Sequence, residues 1–383
     1  MLYTCAHRDP LGSARAGFLD LPHGRVETPV FMPVGTNATV KAIDPEGLEE
    51  LGVQIILANA YHLYLRPGAE VIRSAGGLHA FMGWRRNILT DSGGYQIFSL
   101  ASLRRITEEG AEFRSHLDGS ARRLTPEEVV AFQQLLGSDV LMPLDICTPP
   151  GIGEPEARQA VERTLAWAER SLAAWKSGKA ERPGGQLFGI VQGNFFPALR
   201  RQSAERTAEL DFPGLAIGGL SVGESFEVFR DLLALTAEKL PADRPRYLMG
   251  VGTPEYILEA VGNGIDMMDC VFPTRTARNA QAFTRRGTLN LRNEVHRLAS
   301  EPIDPGCSCP TCRRHSRSYL RHLFKSREIL AAMLATRHNL HFLQALMQDI
   351  RQAIREGRFS SFKRSFLETY QMGLDEGAPD AEQ

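Results

Sequence analysis

Eight short apolar runs, each ending abruptly in a small or polar residue, constrain the fold of this chain more than any other feature. Most of them are separated by segments with helical spacing, and continuous apolar runs of this length are typical of parallel strands buried on both faces. Eight is also the number of strands that closes a (β/α)8 barrel. The runs lie at 30–36, 53–59, 87–91, 139–145, 186–192, 214–219, 246–250 and 265–268.

The pattern predicts an α/β protein in which residues 1–283 form a (β/α)8 TIM barrel. Asp118-Gly119 suits a tight turn, so we expect an inserted hairpin at about 98–124. A zinc-binding and helical subdomain should follow at 284–372, and the acidic residues 373–383 should be disordered. The alternative is an open doubly wound sheet, which the sequence disfavours because no Gly-x-Gly-x-x-Gly turn follows the first run.

Helix boundaries can be placed at several points. Thr125-Pro126 is a strong helix start, with Thr as the N-cap and Pro at the first helical position. Near the C-terminus the apolar spacing predicts two helices, Arg327 to Thr336 and Leu340 to Arg355.

In a barrel of this kind, residues at the carboxyl ends of the strands converge on one mouth. Three carboxylates with an amide and bare backbone would suit a heterocycle that forms hydrogen bonds. The alternative for each is structural, because an aspartate at a strand end often caps a helix and a methionine often fills a core. The residues predicted at this mouth are Asp91, Asp145, Gln192, Gly218, Gly219, Met249 and Asp269.

Three of the six cysteines, Cys307, Cys309 and Cys312, lie within six residues. This crowding predicts a metal site in a reducing compartment rather than a disulfide framework. A sulphur-rich set favours tetrahedral zinc, with a fourth ligand from His315, His322, His338 or His341. Four protein ligands leave no open position, so the zinc should be structural.

The formal net charge is −1, so a nucleic-acid partner would have to meet a local basic surface. Residues 271–330 supply one, with twelve Lys or Arg against four acids. The sequence contains no apolar stretch long enough to span a membrane and its first residues are polar, which predicts a cytoplasmic protein without a membrane partner.

Taken together, the motifs resemble those of the bacterial tRNA-guanine transglycosylases over most of the chain. The resemblance rests on Phe31–Thr36, Asp91–Phe98, Gly189–Gly193, Gly218–Glu224, Tyr247–Gly252, Asp269–Arg275 and the cysteine cluster with His338-Asn339.

The resemblance implies that the wobble guanine of certain tRNAs is exchanged for 7-aminomethyl-7-deazaguanine, a step in queuosine biosynthesis. Asp269 would be the nucleophile that attacks ribose C1′ and leaves a covalent RNA-enzyme intermediate. Asp91 would be the general acid/base. Cleaving a glycosidic bond with retained configuration does call for one nucleophilic carboxylate and one proton-transfer group.

The resemblance also assigns the remaining contacts. His338 becomes the fourth zinc ligand, and the chain is expected to be a homodimer. Cys147 and Val222 match the bacterial pocket, whereas Ser221 and Ile146 depart from the common pattern. Base-binding residues would be Ser92, Tyr95, Asp145, Gln192, Gly218, Gly219, Leu220 and Met249, and tRNA-binding residues Thr274, Arg275 and Arg278.

Three rival functions remain at this point. The first is a non-catalytic tRNA-binding subunit of the same family, against which the retained Asp91 and Asp269 argue. A metal-dependent barrel hydrolase would want a His-x-His on an early strand, and residues 30–37 contain no histidine. A retaining glycosidase would also use two carboxylates, but it would not need the basic segment 271–330 or the zinc site.

Overall fold

The computed structural model describes residues 2–100, 104–178 and 184–376. Its strands are β1 Tyr3–Arg8, β2 Arg15–Leu21, β3 Gly24–Thr28, β4 Val30–Gly35, β5 Ile55–Asn59, β6 Asn87–Asp91, β7 Arg104–Ile106, β8 Ala111–Arg114, β9 Ala121–Leu124, β10 Val140–Leu141, β11 Gln186–Val191, β12 Gly214–Ile217, β13 Arg246–Leu248, β14 Met267–Cys270, β15 Gln281–Thr284 and β16 Gly287–Asn290.

The helices are α1 Pro45–Glu50, α2 Ala60–Leu65, α3 Ala69–Ser74, α4 Leu78–Met82, α5 Gly94–Leu100, α6 Pro126–Leu136, α7 Glu154–Lys176, α8 Pro197–Glu209, α9 Phe226–Glu238, α10 Pro254–Gly262, α11 Phe272–Arg278, α12 Pro310–Arg314, α13 Arg317–Lys325, α14 Ile329–Arg355 and α15 Phe359–Glu376, with a 3-10 turn at Glu294–His296. Within the described residues, no helix is long and apolar enough to cross a membrane.

Eight parallel strands close into a barrel in the order β4-β5-β6-β10-β11-β12-β13-β14, and β14 pairs back onto β4. The predicted (β/α)8 fold is therefore confirmed. Each of the eight apolar runs contributes one strand. The last strand starts later than predicted, at Met267 instead of Ile265, so that Asp269 lies within the strand and pairs with Met32.

The fourth strand of the barrel, β10, is much shorter than the apolar run at 139–145 that predicted it. The side chain of Gln133 replaces the missing strand pairing. Its Oε1 accepts a hydrogen bond from the Met142 amide at 2.9 Å, and its Nε2 donates to the Met142 carbonyl at 2.8 Å. A buried backbone needs such partners when the ladder ends.

A three-stranded antiparallel sheet, β1-β2-β3, precedes the barrel, and the sequence analysis did not predict it. Tyr3, Leu19 and Val26 of this sheet share one apolar cluster with side chains inside the barrel. Beneath them the buried carboxylate of Asp266 accepts hydrogen bonds from Tyr3 Oη at 2.8 Å and Arg15 Nε at 3.0 Å. The sheet thus covers the end of the barrel opposite the strand carboxyl ends.

The insertion after β6 is a three-stranded sheet rather than a hairpin alone, because β7 pairs with β8 on the side opposite to β9. The turn lies at Asp118-Gly119, where Gly119 has a φ of +71°. Residues 101–103, which fall in the predicted insertion, lie outside the described residues.

The helix start at Thr125 is confirmed in detail. The Thr125 side chain accepts a hydrogen bond from the Glu128 amide and the Glu128 carboxylate accepts one from the Thr125 amide, which forms a capping box. The predicted tail overlaps α15, which extends to Glu376, and residues 377–383 lie outside the described part of the chain.

The prediction of two C-terminal helices was wrong, because α14 is one continuous helix of 27 residues. His338 and Asn339 interrupt its apolar spacing, yet both are fully buried and have hydrogen-bond partners. The side chain of Asn339 accepts a hydrogen bond from the Phe283 amide and donates one to the Pro273 carbonyl, each at 3.0 Å. The same helix then lies against the barrel, where Gln344 Nε2 donates to the Phe31 carbonyl at 3.3 Å.

Candidate active site

One cavity of about 380 Å³ lies at the carboxyl ends of the barrel strands. Its lining brings together every predicted catalytic and base-binding residue and one of the three predicted tRNA-binding residues: Asp91, Ser92, Tyr95, Asp145, Gln192, Gly218, Gly219, Leu220, Met249, Asp269 and Arg275.

Asp91 ends β6 and faces the cavity between two donors. Asn59 Nδ2 donates to Oδ2 at 2.5 Å and the Ala60 amide donates to Oδ1 at 2.9 Å. The pKa of Asp91 is raised to about 8, chiefly by burial and also by the negative charges of Asp269 and Asp145, while backbone hydrogen bonds oppose the shift. This carboxyl group is therefore protonated in a substantial fraction of molecules near neutral pH.

Asp269 projects from β14 into the same cavity and is 8% exposed. Tyr247 Oη donates to its Oδ1 at 2.6 Å, and the Gly250 amide donates to the same oxygen at 3.0 Å. Burial raises the pKa of Asp269, while these two donors favour the ionised form and oppose that shift. Because both hydrogen bonds go to Oδ1, they leave Oδ2 as the oxygen available to a ligand.

Asp145 follows β10 and is held by two side chains. Gln192 Nε2 donates to its Oδ2 at 2.7 Å, and Ser92 Oγ lies 3.3 Å from its Oδ1. Burial raises the pKa of Asp145 to about 6, although both side chains favour its ionised form. A Cβ on Gly94 would collide with this carboxylate, so only glycine permits the approach of helix α5.

The backbone at Gly218 and Gly219 is fixed by Arg200, a residue that the sequence analysis missed. Arg200 is fully buried, and its guanidinium donates to the carbonyls of Gly218 and Gly219, each at 2.7 Å, and to that of Asn194 at 2.9 Å. Gly219 has a φ of +66°, which favours glycine. Arg200 is adjacent to the exposed Arg201 on α8, and nothing in the local sequence separates the buried arginine from the exposed one.

The loop after these glycines carries Leu220 and Val222 to the cavity wall. Its strained residue is Ser221, with a φ of +59°. The carboxylate of Glu224 accepts hydrogen bonds from the amides of Ser221 and Val222, the second at 2.9 Å. Glu224, which is not part of the cavity lining, therefore holds this part of the wall in place.

Two thiols also line the cavity, Cys147 and Cys270. Burial raises the pKa of Cys147 to about 12 and that of Cys270 to about 11. Both thiols therefore remain protonated at neutral pH, the form in which a cysteine is a poor nucleophile.

The three residues predicted to bind tRNA occupy different positions on α11. Arg275 lines the cavity. Thr274 is buried, and its hydroxyl donates to the Val271 carbonyl at 3.2 Å. Arg278 is partly buried and donates to the Thr274 carbonyl at 2.8 Å. The structure does not bring Thr274 or Arg278 to the cavity lining.

Other residues of the site were not predicted from the sequence. Asn59 and Tyr247 contact the two aspartates directly, and His62 lines the cavity beside them. Asn59 ends an apolar run in a polar residue, which is the same pattern that identified Asp91. Tyr247 lies inside an apolar run, and no sequence pattern marks its hydroxyl.

Cys307, Cys309, Cys312 and His338 form a compact cluster away from the cavity, with their ligand atoms within 4.8 Å of one another. His338 Nδ1 lies 3.7, 3.5 and 3.3 Å from the three sulphur atoms in that order. Its Nε2 lies 2.6 Å from the Phe283 carbonyl, which fixes the ring so that Nδ1 faces the sulphurs. This donor set could hold a metal ion and fits the tetrahedral preference of zinc.

The barrel, its carboxylate-lined mouth and the Cys3His cluster define a barrel enzyme with the paired acids that glycosyl transfer uses. The family model described as queuine tRNA-ribosyltransferase matches residues 9–372. The chain therefore belongs to the queuine tRNA-ribosyltransferase family, and it is a transferase of the pentosyltransferase class.

Curated relatives agree over nearly the whole chain. A queuine tRNA-ribosyltransferase from Caldanaerobacter subterraneus is 54% identical over 368 residues, which are 96% of this chain and 97% of that protein. One from Treponema denticola is 50% identical over 374 residues, or 98% of both chains. One from Moorella thermoacetica is 53% identical over 371 residues, or 97% of this chain and 98% of that protein.

Proposed function

We propose that this enzyme exchanges the wobble guanine of a tRNA anticodon for 7-aminomethyl-7-deazaguanine through a covalent enzyme-ribose intermediate. The proposal rests on the observation that Asp91 and Asp269 line one cavity and differ in their hydrogen bonds. Each oxygen of Asp91 accepts a hydrogen bond, whereas both donors to Asp269 bind the same oxygen. Asp91 is poised to exchange a proton near neutral pH, whereas Asp269 keeps one oxygen free and two donors on the other.

In the first displacement, Oδ2 of Asp269 forms a bond to ribose C1′ as the bond from C1′ to guanine breaks. Protonated Asp91 delivers its proton to the departing guanine and becomes a carboxylate. In the second displacement, that carboxylate takes a proton from the incoming base. The base then bonds to C1′ and releases Asp269, so both groups return to their starting states.

Base recognition is assigned to the opposite side of the cavity. Asp145 and Gln192 present acceptor and donor atoms that suit the edge of guanine, and Arg200 holds the backbone of Gly218 and Gly219 in place. Tyr95 and Met249 would enclose the ring, Ser92 would contact its edge, and the Leu220 carbonyl would accept from an aminomethyl group. Turning out a base from an anticodon loop costs little because the loop is single-stranded.

The preference for the aminomethyl base follows from the size of the pocket wall at Cys147 and Val222. Both line the cavity, and the Val222 amide is fixed by Glu224 at 2.9 Å. A larger substituted base would have to displace this wall. Competition between 7-aminomethyl-7-deazaguanine and queuine in the exchange assay tests the assignment.

The anticodon loop would contact Arg275 at the rim of the cavity, with Arg278 and Thr274 as support on the same helix. Zinc in the Cys3His cluster would hold the basic lobe beside the rim, and it takes no part in the chemical steps. We assign residues 1–283 to the catalytic barrel, 284–372 to the zinc-binding and helical subdomain and 373–383 to a disordered tail. We place the enzyme in the cytoplasm, where the cysteines stay reduced.

A homodimer completes the proposal. Leu298 is 82% exposed and Ile329 is 79% exposed. Both lie in the basic segment 271–330, together with the exposed Leu330, and the exposed Met333 follows it. Apolar side chains at this exposure are typical of a surface that is covered by a partner.

The decisive experiment is an exchange assay on an unmodified anticodon stem-loop with labelled wobble guanine, followed by a denaturing gel for the adduct. Wild type should lose label on addition of the aminomethyl base, and Asp269→Asn should bind RNA while giving neither exchange nor adduct. Undiminished exchange by Asp269→Asn would reject this residue as the nucleophile. RNA binding without exchange in the wild type would favour a non-catalytic tRNA-binding subunit instead.

A further inference from the structure

A second group of metal-ligating side chains lies at the amino-terminal end of the barrel, opposite the cavity. Ligand atoms of His23, His79 and Asp139 all lie within 4.8 Å of one another. His23 Nδ1 is 2.7 Å from Asp139 Oδ1, and His79 Nε2 is 3.2 Å from Asp139 Oδ2. We propose that these three residues form a site for a divalent transition ion, with Zn²⁺ as the reference ion.

The three ligands come from separate elements that other contacts hold in place. His23 lies in the turn between β2 and β3, and its amide donates to Asn87 Oδ1 at 3.1 Å. Asp139 precedes β10, and its Oδ2 accepts from the Ile88 amide at 2.7 Å. His79 belongs to α4, whose end is fixed by the buried Trp84 through a hydrogen bond to the His79 carbonyl.

One of the two imidazoles has a ring nitrogen without a hydrogen-bond partner in the described part of the chain. Nε2 of His79 is buried and makes no hydrogen bond to the part of the chain that the structure describes, although a carboxylate oxygen is near. The ring of His23 stacks on that of His79 with centroids 3.7 Å apart. A buried ring nitrogen without a partner is costly, and an ion at this point would satisfy it.

The donor set and the spacing suit the proposed ion. Two imidazoles and one carboxylate are the ligands that Zn²⁺, Co²⁺ and Ni²⁺ share. A tetrahedral ion with ligand distances of about 2.0–2.1 Å separates its ligand atoms by roughly 3.3 Å. The 3.2 Å between Asp139 Oδ2 and His79 Nε2 matches this spacing, whereas His23 Nδ1, 2.7 Å from Asp139 Oδ1, would have to move to bind the ion. The side chain of His23 is 39% exposed, which lets it turn toward the ion and leaves a path for entry.

An ion here would join the N-terminal sheet, α4 and the start of β10 across the closed end of the barrel. Its effect should be on stability and not on the exchange reaction, because the proposed reacting groups lie at the other end. This site rests on its own side chains and does not depend on the proposed function.

The test uses the full-length protein after dialysis, with its Cys3His cluster filled by zinc, titrated with Co²⁺ and with Zn²⁺. We expect one further ion per chain, a rise in melting temperature, and cobalt absorption without the charge-transfer band that thiolate ligands give. His23→Gln and His79→Gln should each weaken binding by about 100-fold or more, since even outer-shell partners contribute about 10–100-fold.

His7→Gln is the matched control, because His7 is an exposed histidine on β1 of the same sheet. It should bind the further ion like the wild type. His23→Gln changes an exposed turn and keeps the fold, which circular dichroism without added metal would verify. Absence of a further ion in the wild type, or unchanged affinity in either histidine variant, would overturn the proposal and leave His23, His79 and Asp139 as a group that binds no ion.

Discussion

At the scale of single residues, burial gives three chemically identical carboxyl groups different properties. The pKa of Asp91 is raised to about 8 and that of Asp145 to about 6, in each case chiefly by burial. Asp269 differs again because a tyrosine hydroxyl and an amide both donate to one of its oxygens. Environment rather than residue type thus gives Asp91 and Asp269 the different properties on which the proposed roles of proton donor and nucleophile rest.

The first prediction concerns pH. In the proposed mechanism the expulsion of guanine needs protonated Asp91, so adduct formation in a single turnover should slow as the pH rises through about 8, the pKa of Asp91. Loss at low pH should follow from protonation of Asp269, which gives a bell-shaped profile. Rapid-quench measurement of the adduct against pH tests this. In Asp91→Asn the rate should be much lower and the loss at high pH should vanish; a wild-type rate that keeps increasing above pH 9 would contradict the assigned role.

The second prediction concerns Arg200, which acts on the pocket through backbone carbonyls. Arg200→Gln removes two of the three donors, so Gly218 and Gly219 should shift and the KM for the incoming base should increase by about 10–100-fold, as small misplacements do. Arg200→Lys should restore part of the loss. Steady-state kinetics with varied concentrations of the incoming base measure this KM in both variants.

Arg201→Gln provides the control for Arg200, because Arg201 is the exposed neighbour on the same helix. Its KM should stay at the wild-type value. If Arg200→Gln lowered kcat and left KM unchanged, the residue would act on the reacting groups and not on the base-binding backbone.

At the scale of elements, α14 connects the two parts of the molecule. Its third turn places His338 beside three cysteines, and the following turns contact the barrel through Gln344 and Arg351. Asn339 of the same helix donates to the Pro273 carbonyl of α11. We therefore expect a metal ion bound at the cluster to affect the position of α11 and its arginines.

The third prediction is that metal loss loosens the lobe while the barrel stays folded. His338→Ala should bring the zinc content close to zero and increase amide exchange across residues 307–338, because the thiolates lose the ion that joins them. Hydrogen exchange with mass spectrometry and metal analysis measure both effects. His341→Ala is the control, since His341 lies 3.6 Å from Cys307 but outside the four-residue cluster. Zinc retained by His338→Ala would assign the fourth ligand elsewhere.

At the scale of the whole molecule, the barrel has two unlike ends. One end carries the cavity, which Arg275 of α11 lines. The other end is closed by the N-terminal sheet, which lies over the buried Asp266. The cavity and the sheet that closes the barrel therefore lie at opposite ends of the barrel axis, and in this fold active sites lie at the end formed by the strand carboxyl ends.

The fourth prediction concerns assembly. Ile329→Asp with Leu330→Asp should convert a dimer to a monomer, because burying two carboxylates in an apolar contact is unfavourable. Light scattering coupled to size exclusion measures the mass. Leu11→Asp is the control, because Leu11 is 79% exposed and lies in the N-terminal sheet region. A wild type that is monomeric at micromolar concentration would reject the proposed dimer.

Much of this molecule was predictable from local sequence. Each barrel strand was predicted from an apolar run. Asp91 and Asp145 were predicted as site residues because each ends such a run. The cysteine spacing indicated the metal cluster, but four histidines were possible partners from the residues alone. His338 is separated from Cys307 by 31 positions, and only packing brings them together.

By itself the sequence determined the barrel, the acids at its mouth and three of the four cluster ligands, because period, turn chemistry and residue type act over short distances. The tertiary structure alone decided which arginine is buried under Gly218 and Gly219, which oxygen of Asp269 stays free, and that α14 is continuous. It also decided that His23, His79 and Asp139 meet. These features depend on contacts between residues far apart in the chain, and burial there changes pKa values and hydrogen bonding in ways that no local pattern records.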